Sequence, residues 1–220
     1  MFKSGILLID KPSGITSHDV VDIVRKKLGL RRVGHCGTLD PLATGLLIIL
    51  VGGATKQFSR FVNFDKEYSA CLKLGVATDS GDSQGRVRAN SEYKDVTEGQ
   101  VATVFKALEG KGELVPPMVS ALKHKGRRLY ALARKGITVE REARPVEIYK
   151  LKLLKFSLPD IEFELKCSKG TYVRSLGEEI ARRLNCVGHI FRIRRISVGP
   201  YSVNQAKNID SFNEDDIRTF

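Results

Sequence analysis

The chain has 220 residues, of which 42% are hydrophobic and 28% are charged, so it is long enough to fold around a sizeable core. Its 37 basic residues exceed its 25 acidic ones, and the net charge of +12 favours a polyanionic partner. Its four separated cysteines form no Cys-x-x-Cys pair, which excludes a zinc-finger pattern and a dense disulfide framework. We expect a cytoplasmic protein with no signal peptide and no membrane span.

The first predicted elements are a strand and a helix. Residues 5–9 are continuously apolar, which is typical of a buried strand. Thr16 or Ser17 can cap the helix that follows, and Asp19 stands three residues after Thr16, as in a capping box. Gly29 follows the last cations of this helix and is expected to end it.

One carboxylate, Asp40, stands in a segment rich in glycine, threonine and proline, residues 34–45. Basic residues precede this segment, and the apolar run 46–51 follows it and predicts a buried strand. A single acid at the end of a buried strand, with cations close in sequence, suggests chemistry on a polyanion. An aspartate before a proline is also a common turn residue, so local sequence alone leaves both interpretations open.

The middle of the chain predicts a strand, a helix and a basic excursion. Alternating apolar residues over 68–74 are typical of a strand, and Thr97 can cap a helix over 97–109. Residues 123–145 are cationic and bounded by glycine, with a short helix predicted around 129–133. Such a segment is either a solvated surface loop or a contact for a polyanion.

The C-terminal third predicts two strands, a helix and a further strand. The strands cover 146–156 and 161–167, the helix follows Tyr172, and the last core strand lies within 188–203. On that strand alternate positions place Arg192, Arg194 and Ile196 on one face, so part of a basic row can face a ligand. The tail after Asn208 is polar and acidic and is expected to be peripheral. Strands and helices do not alternate regularly, which favours an α+β fold.

Five segments together resemble one known family. In chain order they are Asp10-Lys11-Pro12-Ser13-Gly14, Gly34-His35-Cys36-Gly37-Thr38-Leu39-Asp40-Pro41-Leu42-Ala43-Thr44-Gly45, Lys66-Glu67-Tyr68, Pro116-Pro117-Met118-Val119-Ser120-Ala121-Leu122-Lys123 and Gly170-Thr171-Tyr172-Val173-Arg174-Ser175-Leu176. They are similar to the motifs of the TruB family of tRNA pseudouridine synthases, in the family's order, and the resemblance covers roughly residues 3–205. One such match would be weak, whereas five in order are highly specific.

The resemblance implies a pseudouridine synthase fold, with a central, mostly antiparallel mixed sheet flanked by helices and loops. It implies a catalytic domain over 1–210, with the insertion 123–145 closing on RNA, and a short polar tail over 211–220. About 15 residues follow the last predicted strand, so we expect no C-terminal RNA-binding domain of the PUA type. The implied reaction isomerises uridine 55 in the T-loop of tRNA to pseudouridine, without cofactor or metal. The expected partner is the T-arm, and the expected state is a monomer without membrane contact.

The same resemblance assigns three catalytic roles. Asp40 is the catalytic carboxylate, and an aspartate with an ordinary pKa of about 3.9 is ionised at neutral pH. Whether it attacks C1′ of the ribose or removes the C2′ proton to give a glycal stays open. Tyr68 stacks on the target base and is a candidate for helping to remove the C5 proton. Arg174 pairs with the catalytic carboxylate and fixes its orientation.

Further residues are implied to contact the substrate. His35 resembles the histidine that fills the space left by flipped bases, Tyr172 lines the pocket, and Ile193 is placed near the uracil. Lys11 belongs to the Lys-Pro motif and is assigned to the substrate site, although as a scaffold residue more than as a catalyst. The basic excursion contributes Lys123, Arg127 and Arg128 as RNA contacts.

Three other interpretations remain open at this point. The first is a non-catalytic RNA-binding or tRNA-folding protein on the same scaffold. The second is a hydrolase of glycosidic bonds, which usually needs a second carboxylate that these motifs do not supply. The third is the same isomerisation on another RNA, as in the related enzymes that use guide RNAs.

Overall fold

The computed structural model describes residues 4–219. The strands within that range are β1 (Gly5–Lys11), β2 (Val33–Cys36), β3 (Thr44–Val51), β4 (Lys66–Leu74), β5 (Val76–Thr78), β6 (Val87–Asn90), β7 (Gly110–Leu114), β8 (Lys123–His124), β9 (Arg127–Arg128), β10 (Arg144–Ser157), β11 (Asp160–Cys167), β12 (Gly188–Val198), β13 (Tyr201–Ser202) and β14 (Lys207–Asn208). The α-helices there are α1 (Ser17–Leu28), α2 (Phe58–Val62), α3 (Glu98–Leu108), α4 (Leu129–Ala133) and α5 (Val173–Arg183). Residues 1–3, which bear on the expected absence of a leader, and Phe220, the end of the predicted tail, lie outside the described range.

The chain forms two compact units. Of the described residues, the first unit contains 4–69 and 193–219, and the second contains 70–192. Strands β4 and β12 each begin in one unit and end in the other. Strand pairing is mostly antiparallel, with parallel pairs at β1–β14 and β3–β12, and helices accompany it, so the predicted α+β class with a mixed sheet is confirmed.

The sheet of the first unit has the order β14–β1–β3–β12. Strand β3 pairs with β1, antiparallel, from Gly5 opposite Val51 to Lys11 opposite Gly45. Its other edge is shared by two strands. The antiparallel strand β2 takes the end near Val51, and the parallel strand β12 takes the end near Gly45. Because nearly every residue of β1 and β3 is buried, the two strands carry the apolar runs 6–9 and 46–51 rather than an alternating pattern.

Helix α1 follows the predicted capping chemistry. The Thr16 hydroxyl accepts from the Asp19 amide, and the Asp19 carboxylate accepts from the Thr16 amide, so the capping box is complete. Gly29 ends the helix in the left-handed region at φ 65°, where a glycine carries no Cβ penalty. The buried face of the helix carries Val20, Val21 and Val24.

The C-terminal tail is part of the core of the first unit, and the prediction that it is peripheral was wrong. Phe212 and Ile217 are 1% and 2% exposed. Strand β14 pairs with β1, and the Arg218 amide and carbonyl both bond to Ile6. The tail is polar in composition, but its few apolar residues point inward and cover the outer edge of β1.

The sheet of the second unit has the order β4–β11–β10–β7, with β10 antiparallel to both of its neighbours. Strand β11 alternates as predicted, because Ile161, Phe163 and Leu165 are buried while the residues between them are not. Helix α3 is capped by Thr97 and meets this sheet through Phe105, whose ring lies 5.7 Å from that of Phe163 in an edge-on contact.

The basic excursion of the second unit is ordered around a small core of its own. Strands β8 and β9 form a two-residue hairpin that places Lys123 opposite Arg128. Helix α4 follows directly, and Met118, Leu129 and Leu132 are buried together beneath it. The predicted short helix over 129–133 is therefore confirmed. Within the described residues, no helix has the length and apolar character that crossing a membrane requires.

Candidate active site

The loop that carries Asp40 joins two neighbouring strands of the first unit. Strand β2 ends at Cys36 opposite Ile48, and β3 begins at Thr44 opposite Arg194 of β12. The loop therefore crosses the edge of β3 at the point where β2 stops and β12 takes its place. Asp40 lies half-buried in the middle of this loop, followed by Pro41.

Helix α1 holds the loop from one side. The Ser17 hydroxyl is buried, accepts from the Leu39 amide at 2.8 Å and donates to the Leu39 carbonyl at 3.0 Å. Both main-chain groups of the residue before Asp40 are thus satisfied by one side chain. Such paired bonds fix the local backbone, because a buried amide or carbonyl without a partner is costly.

The end of β1 holds the loop from a second side through Lys11. This lysine is fully buried, and its ammonium donates to the carbonyls of Pro12, Ile15 and Pro41 at 2.7, 2.7 and 3.3 Å. Burial lowers the pKa of Lys11 to about 8, against the opposing attraction of the Asp40 carboxylate. These contacts support the scaffold role for Lys11, since its donors are directed at main-chain carbonyls.

Arg195 of β12 holds the loop from a third side. It is 1% exposed, and it donates from Nε to the Leu46 carbonyl at 2.7 Å and from Nη2 to the Gly37 carbonyl at 3.0 Å. Its guanidinium also interacts electrostatically with the Tyr68 and Asp40 side chains. Burial lowers the pKa of Arg195, and the neighbouring Tyr68, Cys36 and Asp40 side chains oppose that effect.

Four of the predicted site residues interact electrostatically with Arg195. Tyr68 and Asp40 attract it, while the cation disfavours charge on Lys11 and His35. Burial is the main cause that lowers the pKa of His35, which keeps its imidazole neutral at pH 7. The Nδ1 atom of His35 is buried and has no hydrogen-bond partner within residues 4–219. Ile193, also in the first unit, is 9% exposed on β12.

In the second unit Arg174 lies in the first turn of α5 and is 3% exposed. It donates from Nη1 to the Ser80 carbonyl and from Nη2 to the Val119 carbonyl, each at 2.7 Å, and its Nε lies 3.8 Å from Asp82 Oδ2. Tyr172, the residue before this helix, is half-buried and contributes its carbonyl to the first helical bond. The guanidinium is thus rigidly oriented by two main-chain carbonyls and a buried carboxylate.

The cations predicted to contact RNA lie on the hairpin of the second unit. Lys123, Arg127 and Arg128 are all exposed there. Elsewhere the basic row on β12 is divided, because Arg192 pairs with Glu162 at 3.0 Å and Arg194 pairs with Asp10 at 2.6 Å. No group of three metal-ligating side chains occurs among the residues that the structure describes.

Comparison with known proteins defines the class and the family of this chain. A family model described as TruB family pseudouridylate synthase (N terminal domain) matches residues 25–173. The protein is therefore an enzyme of the pseudouridylate synthase class. It belongs to the TruB family of that class.

Individual relatives extend the match to nearly the whole chain. The tRNA pseudouridine synthase B of Clostridium tetani is 43% identical over 99% of this chain and 75% of its own length. That of Hydrogenovibrio crunogenus is 45% identical over 94% of this chain and 68% of its own length. The solved structure of an H/ACA RNP bound to a substrate RNA containing 2′-deoxyuridine contains a chain with a TM-score of 0.70 and 26% identity. The match covers 94% of this chain but only 51% of that one, so this chain spans about half of its length.

Sequence analysis gave no role to Arg195, which the structure places among the predicted residues of the first unit. The sequence did carry a signal for Arg195. Side chains alternate between the two faces of a strand, so among the cations of residues 192–195 only Arg195 is predicted on the face opposite Arg192 and Arg194. On a core strand that face is buried, and a buried arginine requires specific partners. The pattern does not say which carbonyls those partners are.

Proposed function

We propose that this enzyme isomerises uridine to pseudouridine at position 55 in the T-loop of tRNA. Family membership supports the reaction, and the relatives named tRNA pseudouridine synthase B support tRNA as the substrate. The net charge of +12 suits a polyanionic substrate. A reducing cytoplasm suits its four buried free thiols, and a monomer is the proposed state.

The observation that carries the proposal is the triple anchoring of the Asp40 loop. Ser17, Lys11 and Arg195 each bond to its main chain from a different element. An ordinary turn aspartate needs no such framework, whereas a reacting carboxylate gains from being held in one geometry. The attraction between Asp40 and the cations of Lys11 and Arg195 adds the charged surroundings expected around an ionised acid.

In the proposed reaction the target uridine leaves its stack, at a cost of a few kcal/mol that new contacts offset. Asp40 assists cleavage of the bond between N1 and C1′, the detached uracil turns, and a bond forms between C5 and C1′. The proton on C5 is released and a proton is returned at N1, so the product has the mass of the substrate. Tyr68 is assigned to stacking on the base, and Arg174 to fixing the catalytic carboxylate, as the motifs imply.

The remaining predicted residues receive binding roles. We assign neutral His35 to the space that flipped bases vacate, Tyr172 to the pocket wall and Ile193 to contact with the uracil. Lys123, Arg127 and Arg128 are assigned to the RNA backbone, because they are exposed cations on one hairpin. Lys11 is assigned to holding the Asp40 loop rather than to the RNA.

The test is incubation of the protein with an unmodified T-arm stem-loop, followed by digestion to nucleosides and mass spectrometry. We expect a nucleoside of unchanged mass that resists glycosidic cleavage. Asp40→Asn should abolish this product while the dissociation constant for the stem-loop stays within about 3-fold of the original. Asp22→Asn, an exposed aspartate on α1 paired with Arg25, is the matched control and should keep full activity.

Two other outcomes would point to other functions. Release of free uracil would indicate a hydrolase. Tight RNA binding without any product, unchanged by Asp40→Asn, would indicate the non-catalytic alternative, a protein that folds tRNA. The likeness to a chain of an H/ACA RNP makes a guide-dependent substrate the third possibility, and activity on the stem-loop without added guide RNA argues against it.

A further inference from the structure

The segment that leads to the Asp40 loop is strongly basic. Residues 23–39 contain five lysines and arginines and no acidic residue. They form the second half of helix α1, the turn that follows it, strand β2 and the start of the Asp40 loop. Positive charge concentrated in one stretch of the chain attracts polyanions, unless the cations are used within the fold.

Two of these five cations are used within the fold. Arg25 donates from Nη1 to Asp22 at 3.0 Å and from Nη2 to the Val33 carbonyl at 2.9 Å, which joins α1 to β2. Lys27 donates to the Asp210 carbonyl at 2.6 Å, which joins α1 to the C-terminal tail. These two side chains therefore have a structural role.

The other three cations, Lys26, Arg31 and Arg32, are here called the α1–β2 cations. All three are exposed, and their side chains make no hydrogen bond or ion pair with any residue that the structure describes. The nearest acid before them in sequence is Asp22, which already pairs with Arg25. Three cations without acidic partners within seven residues repel one another, and a bound polyanion relieves that repulsion.

The main chain that carries the α1–β2 cations is held in place. The Gly29 and Leu30 amides both donate to the Arg25 carbonyl, which closes the end of α1. The Arg32 carbonyl then accepts from the Gly52 amide at 2.8 Å, which ties the turn to the residue after β3. Cations on an ordered backbone lose less conformational entropy on binding, because only their side chains must be fixed.

Strand β2 leads from these cations to the Asp40 loop. It begins at Val33, directly after Arg32, and ends at Cys36, where the Asp40 loop starts. A strand rises about 3.3 Å per residue, so Arg32 and Cys36 lie about 13 Å apart along it. Stacked nucleotides advance about 3.4 Å each along a helical strand, so this distance corresponds to about four nucleotides. An RNA whose target base lies at Asp40 is therefore long enough to place nearby phosphates at the α1–β2 cations.

We propose that Lys26, Arg31 and Arg32 bind the sugar–phosphate backbone of the substrate RNA within about four nucleotides of the target uridine. The inference rests on the proposed function and adds to it an RNA-binding surface in the same unit as Asp40. Arginine suits this role, because its planar guanidinium can bind a phosphate through two parallel hydrogen bonds. Contacts to phosphates fix the register of a nucleic acid but do not read its sequence.

The first test measures the salt dependence of binding. The dissociation constant of the unmodified T-arm stem-loop is measured over a range of KCl concentrations, for the original chain and for a variant with Lys26, Arg31 and Arg32 replaced by glutamine. Loss of three phosphate contacts should reduce the slope of log affinity against log salt by about 2–3. The single-turnover rate at saturating enzyme should stay within about 3-fold of the original, because phosphate contacts position the RNA without taking part in the reaction.

Two further variants separate these contacts from overall charge and from folding. Replacing Lys150, Lys152 and Lys155 of β10 by glutamine removes the same charge from the second unit and should leave the slope within about 0.5 of the original. Arg31→Lys combined with Arg32→Lys keeps the charge, so its slope should also stay within about 0.5 of the original. Urea unfolding should give roughly the same midpoint for all variants, because every replaced side chain is exposed.

The second test locates the contacts on the RNA. One phosphate of the stem-loop at a time is replaced by a neutral methylphosphonate, and the dissociation constant is measured with the original chain and with the glutamine variant of the α1–β2 cations. Neutralising a phosphate that these cations bind should weaken binding to the original chain and have little effect on binding to the variant. We expect such phosphates within about four nucleotides of the target uridine.

Each result has a distinct meaning. An unchanged slope in the glutamine variant would overturn the inference, and so would an equal fall of the slope in the β10 control. Phosphates that depend on the α1–β2 cations but lie only farther along the RNA would overturn it as well. The proposed function is tested by product formation and not by affinity, so a chain that binds the stem-loop through these cations but forms no pseudouridine would fail that proposal alone.

Discussion

Ser17 satisfies both main-chain polar groups of Leu39, through bonds of 2.8 and 3.0 Å that join helix α1 to the loop just before Asp40. Ser17→Ala leaves a buried amide and a buried carbonyl unpaired, so we expect a loss of about 1–3 kcal/mol in the free energy of unfolding. We also expect slower isomerisation, because the loop gains freedom next to the carboxylate. Urea unfolding and single-turnover kinetics measure the two effects.

Ser13→Ala is the control for this change. The Ser13 hydroxyl donates to the Leu42 carbonyl of the same loop at 3.1 Å, but it is exposed, so water can replace it. The free energy of unfolding should change by less than about 0.5 kcal/mol. Equal effects of the two substitutions would contradict the assignment of Ser17 as a main anchor.

The contacts of Ser17 also illustrate how far the sequence could be read. Either Thr16 or Ser17 could cap α1 on local grounds, and the structure uses Thr16 as the cap. Local rules also placed the start of this helix at Thr16 or Ser17 and its end at Gly29, because caps depend on residues within one turn. The role of Ser17 depends on Leu39, which lies 22 residues away and is not encoded in any short pattern.

Contacts between residues far apart in sequence explain other features that the sequence did not predict. The Gly37 carbonyl that accepts from Arg195 is 158 residues away in sequence, and only the pairing of β3 with β12 brings the two together. Motif resemblance located Asp40 and Tyr68 but could not show this shared neighbour. The prediction that the tail is peripheral failed for a different reason. The average composition of the tail is polar, but its burial depends on two apolar residues, Phe212 and Ile217.

Gly45→Ala should be among the most destabilising single substitutions in the first unit. The new Cβ would stand 2.3 Å from a main-chain oxygen of β12, and φ 101° is unfavourable for any L side chain. We expect a loss of at least about 3 kcal/mol, measured by urea unfolding. Gly34→Ala is the control, because a Cβ there meets nothing within 4 Å and its φ is not positive, so the change should be within about 1 kcal/mol.

The buried ammonium of Lys11 should make the free energy of unfolding depend on pH. Burial lowers its pKa from 10.5 to about 8 in the folded protein, so between these values the unfolded chain binds more protons than the folded one. The free energy of unfolding should therefore gain a contribution from Lys11 as the pH rises from about 8 to 10.5, and none below pH 8.

Lys11→Met isolates that contribution. Unfolding free energies of the original chain and the variant are compared between pH 7 and 10.5. The effects of other titrating groups largely cancel in this comparison. Cys36, whose pKa is raised to about 12, is one of those groups. Their difference should move in favour of the original chain with rising pH. A constant difference would show that the ammonium is not penalised by its burial.

Phe212 tests whether the tail stabilises the first unit. Its ring is 1% exposed and lies under the Lys27 ammonium, 4.5 Å from the ring centre. Phe212→Ala should reduce the free energy of unfolding by about 3–5 kcal/mol, because it leaves a cavity where a buried ring was removed. Phe58→Ala, which removes a ring that is 47% exposed on α2, should cost less than about 1 kcal/mol.

Loss of the hairpin cations should change the salt dependence of RNA binding without changing the rate of the chemical step. Replacing Lys123, Arg127 and Arg128 by glutamine removes three exposed charges from β8 and β9. Each lost phosphate contact should reduce the slope of log affinity against log salt by about 0.7–0.9, so three lost contacts should reduce it by about 2–3. The single-turnover rate at saturating enzyme should stay within about 3-fold of the original. The matched control removes the same charge from β10 by replacing Lys150, Lys152 and Lys155, and it should leave the slope within about 0.5 of the original. If both triple variants lower the slope equally, the hairpin has no special place in RNA binding and the enzyme's overall charge accounts for its affinity.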